Sequence, residues 1–185
     1  MGEQPRWARV SGELGPASIR VVDEQPYQGK HCLRLVDAAG DQPAWQPHLY
    51  YQPDFTQGTV QQSFAVRIGK EARLRVEWRD ATKYPACIGP SVLFLGNGNV
   101  EVGGKFLANV PLDTWVLVTI TAQLGEGKPG TFDLTIQVPG HRDYQFPGLP
   151  WTGEEFRALH WLGFISEATT ATTSYVDVLS LKRLP

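Results

Sequence analysis

The sequence is short of several things, and each shortage narrows what it can be. Cysteine appears only as Cys32 and Cys87 in 185 residues, so the chain is no disulfide framework. Whether the two pair depends on Cα separation, which sequence leaves open; two buried thiols are the other reading. Methionine occurs once, and helical runs of Ala, Leu, Glu and Lys are scarce, which argues against a helical protein. No stretch approaches the roughly 20 apolar residues that cross a bilayer as a helix. The net charge of −2 is too close to neutral for nucleic acid or an anionic membrane to be the main partner. The four histidines (His31, His48, His141, His160) form no HxH or HxxxH pair. There is no CxxC, no GxSxG elbow and no P-loop. GNGNVEVGG is glycine-rich but lies between strand patterns, so it offers phosphate no helix N-terminus. Internal repeats and low-complexity tracts are absent. Met1 leads into a polar segment rather than a secretory leader. That leaves a cytoplasmic protein or a domain cut from a longer secreted chain, and the second, an extracellular domain spanning residues 1–185, is the expectation.

What is present points one way. The chain is 42% hydrophobic and 19% charged, an ordinary globular balance, with 19 Gly, 14 Pro, six Trp, six Tyr and eight Phe. Many short strands, joined by turns and carrying aromatics to spare, fit that composition. The clearest stretch is Arg73–Asp80, RLRVEWRD. Leu74, Val76 and Trp78 fall on one side; Arg73, Arg75, Glu77 and Arg79 fall on the other. The preceding Gly58–Ile68 repeats the pattern, with Phe64, Val66 and Ile68 opposite Ser63, Ala65 and Arg67. If these two strands pair across their short IGKEA turn, Arg67 joins the Arg75, Glu77, Arg79 row on one sheet face. A single carboxylate among several guanidiniums then leaves donors free for a ligand.

Period-two alternation also predicts strands at Ser18–Val22, His31–Val36, His48–Tyr51, Trp115–Ala122, Thr131–Val138, Leu159–Ile165 and Tyr175–Leu181. Ser91–Leu95 reads as a buried strand, and NGN at Asn97–Asn99 as a hairpin into Val100–Val102. Asp37–Pro47 and Ala81–Pro90 read as loops, and Glu154–Arg157 as a helical turn. The sum is an all-β chain: a two-sheet antiparallel sandwich of jelly-roll type.

The segments GKHCLRLVD, EWRD, WVLVTI with GTFDLTI, WLGFIS and the closing YVDVLSL resemble jelly-roll β-sandwich modules of concanavalin-like (laminin-G-like) or galactose-binding-like type, with no named family matched closely. The resemblance implies a non-catalytic carbohydrate-binding module that binds a polysaccharide or oligosaccharide beside a catalytic module of a parent chain. It also implies a structural Ca²⁺, with Asp177 near the final strand as a ligand and Asp23 or Glu24 as partners. An outward-facing or Arg-paired Asp177 is the alternative.

Sugars are held by aromatic rings against their CH faces and by forked hydrogen bonds to neighbouring hydroxyls. The polar part is assigned to Arg67, Arg75, Glu77, Arg79 and His48, extended by Thr119, Thr121, Asp133, Thr135 and Gln137 if their strands share the sheet. Trp45, Tyr50, Tyr84 and Trp151 are the expected platforms, while Trp78, Trp115 and Trp161 are expected in the core. Hydrolysis needs two carboxylates across the cleaved bond, and Glu77 has no such partner because Asp80 falls on the opposite face. A polysaccharide lyase is the better enzymatic rival, with His48, Tyr50, Arg79 and His160 for charge neutralisation and proton transfer. A structural domain packing on a catalytic module is the third reading.

Overall fold

Alternation at period two decides the form of this molecule, because each strand must bury one row of side chains and can leave the other row to solvent. The computed structural model describes residues 2–40 and 43–185; Met1, and Asp41 and Gln42 of the loop read at Asp37–Pro47, lie outside the described residues. The strands are β1 (Arg9–Ser11), β2 (Ser18–Val22), β3 (Cys32–Asp37), β4 (His48–Tyr51), β5 (Gly58–Ile68), β6 (Arg73–Asp80) and β7 (Cys87–Leu95). After them come β8 (Asn99–Val102), β9 (Lys105–Asn109), β10 (Val116–Leu124), β11 (Thr131–Gln137), β12 (Tyr144–Pro150), β13 (Trp161–Ser166) and β14 (Thr172–Arg183). A front sheet runs β1-β4-β13-β6-β7-β8-β9 and a back sheet β12-β11-β10-β5-β14-β3-β2, both antiparallel. The fold is an all-β jelly-roll sandwich.

The two inner faces close on one another. Leu74, Val76 and Trp78 of β6 meet Phe64, Val66 and Val118 of the back sheet, and all six side chains are fully buried. Phe64 stands edge-on to Phe164 of β13, ring centroids 5.2 Å apart. Buried hydrogen bonds also join the two sheets: Trp78 Nε1 donates to Gln62 Oε1 at 2.5 Å, and Ser166 Oγ of β13 donates to Asp37 Oδ2 of β3 at 2.6 Å.

Several expectations need correction. The IGKEA turn does not join a hairpin: β5 lies in the back sheet and β6 in the front one, so the turn carries the chain between layers. Arg67 therefore points away from the Arg75 row, and Thr119, Thr121, Asp133, Thr135 and Gln137 also belong to back-sheet strands. β1, β9 and β12 are strands that the sequence pattern does not announce, and only a turn forms at Glu154–Glu155. Trp151 is no loop platform. It follows β12, is 7% exposed, and packs edge-on against Phe156 at 4.9 Å. Of the three tryptophans expected in the core, Trp78 is there; Trp115 and Trp161 are half-buried on outer faces. Cys32 and Cys87 are free thiols, one in each sheet.

Candidate functional site

The outer face of the front sheet collects polar and aromatic side chains over neighbouring strands. Register sets them side by side. Arg9 lies opposite Tyr50, Tyr50 opposite Gly163, Gly163 opposite Glu77, and Glu77 opposite Ser91, so one row crosses β1, β4, β13, β6 and β7. The flanking registers add Trp161 beside Arg79 and Ile165 between His48 and Arg75.

Gly163 is what lets the aromatic part assemble. A Cβ at that position would overlap the six-membered ring of Trp161, so the indole occupies the space that any other residue would fill. Tyr50 stacks on Trp161 with centroids 5.5 Å apart and 23° between planes, and His48 stacks on Tyr50 at 5.7 Å. The Arg79 guanidinium lies 4.1 Å from the Trp161 centroid, a cation–π contact. β4 and β6 flank β13 on opposite sides. Trp161 is thus held between Tyr50 and Arg79.

The charged row is pinned by carboxylates. Arg79 Nε donates to Glu77 Oε1 at 2.6 Å, and Ser91 Oγ donates to Glu77 Oε2 at 3.3 Å. Glu77 is only 4% exposed, so it positions Arg79 and is not itself an open ligand contact. Arg75 makes a fork to Glu167, Nε to Oε1 at 2.5 Å and Nη2 to Oε2 at 3.0 Å, and Nη1 donates to Ser91 Oγ at 3.2 Å. The Glu167 hydrogen bond holds the Arg75 guanidinium above the usual arginine range, against the opposing effect of burial. Arg73 also approaches Glu167, at 3.5 Å. The row therefore has a second carboxylate, which the sequence reading missed. It is not roofed over: the Arg75 and Arg79 side chains are 26% and 35% exposed.

Outward-facing atoms remain. The Arg79 terminal nitrogens, Tyr50 Oη and Trp161 Nε1 make no hydrogen bond among the described residues. His48 Nδ1 lies 3.2 Å from the Trp45 carbonyl oxygen, which can only accept, so Nδ1 carries the hydrogen and Nε2 keeps its lone pair when the ring is neutral. Burial holds the His48 pKa below the ordinary histidine value, the nearby Arg79 charge adds to this, and the bond to Trp45 opposes it. At neutral pH the cluster offers donors on Arg79, Tyr50 and Trp161 beside an acceptor on His48.

The other predicted residues are dispersed. Trp45 and Tyr84 stand on loops before β4 and after β6, 57% and 99% exposed. Arg67, on the outer face of the back sheet, donates through Nη1 to Gln25 Oε1 at 2.7 Å and lies 4.0 Å from the Tyr175 ring centroid. His160 precedes β13, its amide donating to the Arg79 carbonyl, and its ring turns to the acids, with Nδ1 3.1 Å from Asp80 Oδ1 and Nε2 3.6 Å from Asp54 Oδ1. Asp177, Asp23 and Glu24 do not assemble. Asp177 accepts from the Gln28 and Val178 amides, and Glu24 accepts from Arg34 and Tyr175. Among the described residues no group of three His, Cys, Asp or Glu side chains could hold a metal ion. Trp161, Ser91 and Glu167 are the site residues that sequence reasoning missed. The alternation Trp161, Gly163, Ile165 was the available signal for the first.

Fold and face together define the class, a jelly-roll β-sandwich with a polar and aromatic outer sheet surface. The sequence matches no protein-family model and no curated protein. Solved structures share the architecture. An endo-β-1,4-glucuronan lyase from the fungus Trichoderma reesei superposes with a TM-score of 0.64 at 10% identity, over 99% of this chain and 93% of its own. The marine PL-14 alginate lyase from Aplysia kurodai gives 0.64 at 10% identity, over 90% of this chain and 87% of its own. The cellulose-induced protein Cip1 gives 0.63 at 11% identity, over 95% and 90%. At such identities the likeness is one of fold.

Proposed function

We propose that the outer face of the front sheet is a glycan-binding surface and that the chain acts as a carbohydrate-binding β-sandwich domain. One observation carries the reading: His48, Tyr50, Trp161 and Arg79 form a contiguous stacked cluster whose outward polar atoms have no partner among the described residues. Vicinal hydroxyls, each both donor and acceptor, complement closely spaced donors and an acceptor of this kind. The fold neighbours, two lyases of uronate polymers and a cellulose-induced protein by their names, lend support from fold alone. Hydrolysis is disfavoured because Glu77 and Glu167 are both tied to arginines. The test is affinity electrophoresis against neutral and acidic polysaccharides. Retardation by at least one polymer, lost in Tyr50→Ala and Arg79→Ala, is expected; retardation that both variants leave unchanged would remove the site.

A second reading, β-elimination on a uronate polymer, is favoured by one feature. Tyr50 and His48 share the face with the free end of Arg79, so a proton acceptor and a carboxylate-binding cation lie together. The ring of His160, the fourth residue expected for it, is engaged by Asp80 and Asp54. Incubation with glucuronan and alginate, monitored for the ultraviolet absorbance of new unsaturated ends, decides between lysis and binding alone.

A further inference from the structure

Stacking against a sugar requires an aromatic ring with an uncovered face, and the centre of the front sheet supplies none that is fully open. Trp161 has the Arg79 guanidinium 4.1 Å from its centroid and Tyr50 stacked at 5.5 Å, from strands on opposite sides. Tyr50 is shared further with His48 at 5.7 Å. The centre therefore presents ring edges and polar atoms, suited to hydrogen bonding. Two uncovered rings flank the ends of β6, Trp45 and Tyr84, neither with a ring or cation partner among the described residues; a third exposed ring, Phe106, lies farther across the sheet on β9.

These two rings belong to opposite ends of the face. Trp45 is two residues before Pro47, whose carbonyl accepts the Ser166 amide, and Ser166 pairs with Leu74 at the start of β6. Tyr84 lies in the loop that leaves β6 after Asp80, beside the Trp161–Arg79 register. From Leu74 to Asp80 the strand advances six residues, roughly 20 Å at about 3.3 Å each. Between the ends, Arg75, Glu77 and Arg79 stand in line, and Arg73 with Glu167 continues the line at the Trp45 end.

Building on the glycan-binding reading, we infer that this face takes an unbranched polysaccharide lengthwise, parallel to β6, with Trp45 and Tyr84 as terminal stacking platforms and the Arg79 cluster as the polar centre. Two platforms joined by one ligand behave as a bivalent site. A chain too short to span them gains nothing from the second, while one that spans them binds it at high effective concentration.

The test is calorimetric titration of the intact protein with β-1,4-linked glucuronate and glucose oligomers, from the disaccharide upward. Affinity is expected to rise in a step once the oligomer bridges the loops. Trp45→Ala or Tyr84→Ala removes the step and weakens the longest oligomer about two- to tenfold, the range for one aromatic contact. Tyr84→Phe keeps it, since stacking uses the ring and not the hydroxyl. Both side chains are exposed, so circular dichroism should show native folding in every variant. Binding that is independent of length, or a step that survives both alanine variants, overturns the lengthwise mode while leaving the glycan-binding face intact. Failure of every oligomer and of the polysaccharide panel overturns both.

Discussion

Arg79 uses one guanidinium in three ways. Its Nε is spent on Glu77, its plane lies on Trp161, and its terminal nitrogens face outward. Lysine cannot reproduce this, because an ammonium has neither the plane nor the fork. Arg79→Lys is expected to lower glycan affinity about tenfold by calorimetry, nearly as much as Arg79→Ala; full affinity in the lysine variant would show that charge alone suffices. His48 makes a second residue-scale prediction. Its folded pKa lies below the ordinary value of about 6.5, mainly through burial, so the unfolded chain takes up the proton first as pH falls. The stability it contributes is whole above that pH and is lost as pH falls toward the folded value. The urea midpoint of the wild type should therefore fall more steeply below pH 6.5 than that of His48→Gln, and the His48 ring protons should titrate with a midpoint below 6.5 in NMR. Parallel curves would refute this. At this scale the sequence showed that Arg75, Glu77 and Arg79 share a side, since alternation in RLRVEWRD admits one reading. It could not show that Glu167, 92 residues from Arg75, would neutralise that arginine. Such a partner depends on which strands become neighbours.

Strand β13 shows how much a single element can decide. Its outward row is Trp161, Gly163 and Ile165, and the missing side chain at Gly163 is the seat of the indole. Gly163→Val should push Trp161 off the sheet, separating it from Tyr50 and Arg79. Expected outcomes are a changed near-ultraviolet circular dichroism band and loss of most polysaccharide retardation; an unaltered band would show that the ring is not seated there. Both sides of WLGFIS are apolar in sequence, so its pattern does not declare which side is inward, and a core position for Trp161 reads equally well from it. Trp115 is legible from parity. Val116, Val118 and Ile120 fill the core side of β10, and Trp115 falls on the other parity, where it packs with Tyr175 on the outer back face. Strand bounds at Ser18–Val22, His48–Tyr51, Gly58–Ile68 and Arg73–Asp80 coincide with the observed ones because turn residues bracket clean alternation. Sheet membership did not follow, as the β5–β6 turn shows, since alternation fixes the inward row but not the sheet a strand joins.

At the scale of the whole molecule, the face is only as well set as the packing of one sheet on the other. Most of that packing is apolar and tolerant of rearrangement, but the bond from Trp78 Nε1 to Gln62 Oε1 is directional. Trp78 is in β6, which carries Arg75, Glu77 and Arg79 on its outer side, so the bond ties that strand to the back sheet. Gln62 Nε2 already lacks a partner, so removing the indole leaves the entire amide buried without a hydrogen bond. Trp78→Phe should cost about 2–4 kcal/mol, combining lost packing with an unsatisfied polar group. Gln62→Leu alone should cost less, because the amide leaves with its own unmet need. If the bond matters as argued, the double variant should be more stable than the sum of the single losses predicts, by about 1–2 kcal/mol in urea unfolding. Strict additivity would mean that the contact contributes nothing beyond its packing, and the setting of β6 would then rest on the apolar layer and on its neighbour β13, which the Ser166–Asp37 bond ties to the back sheet.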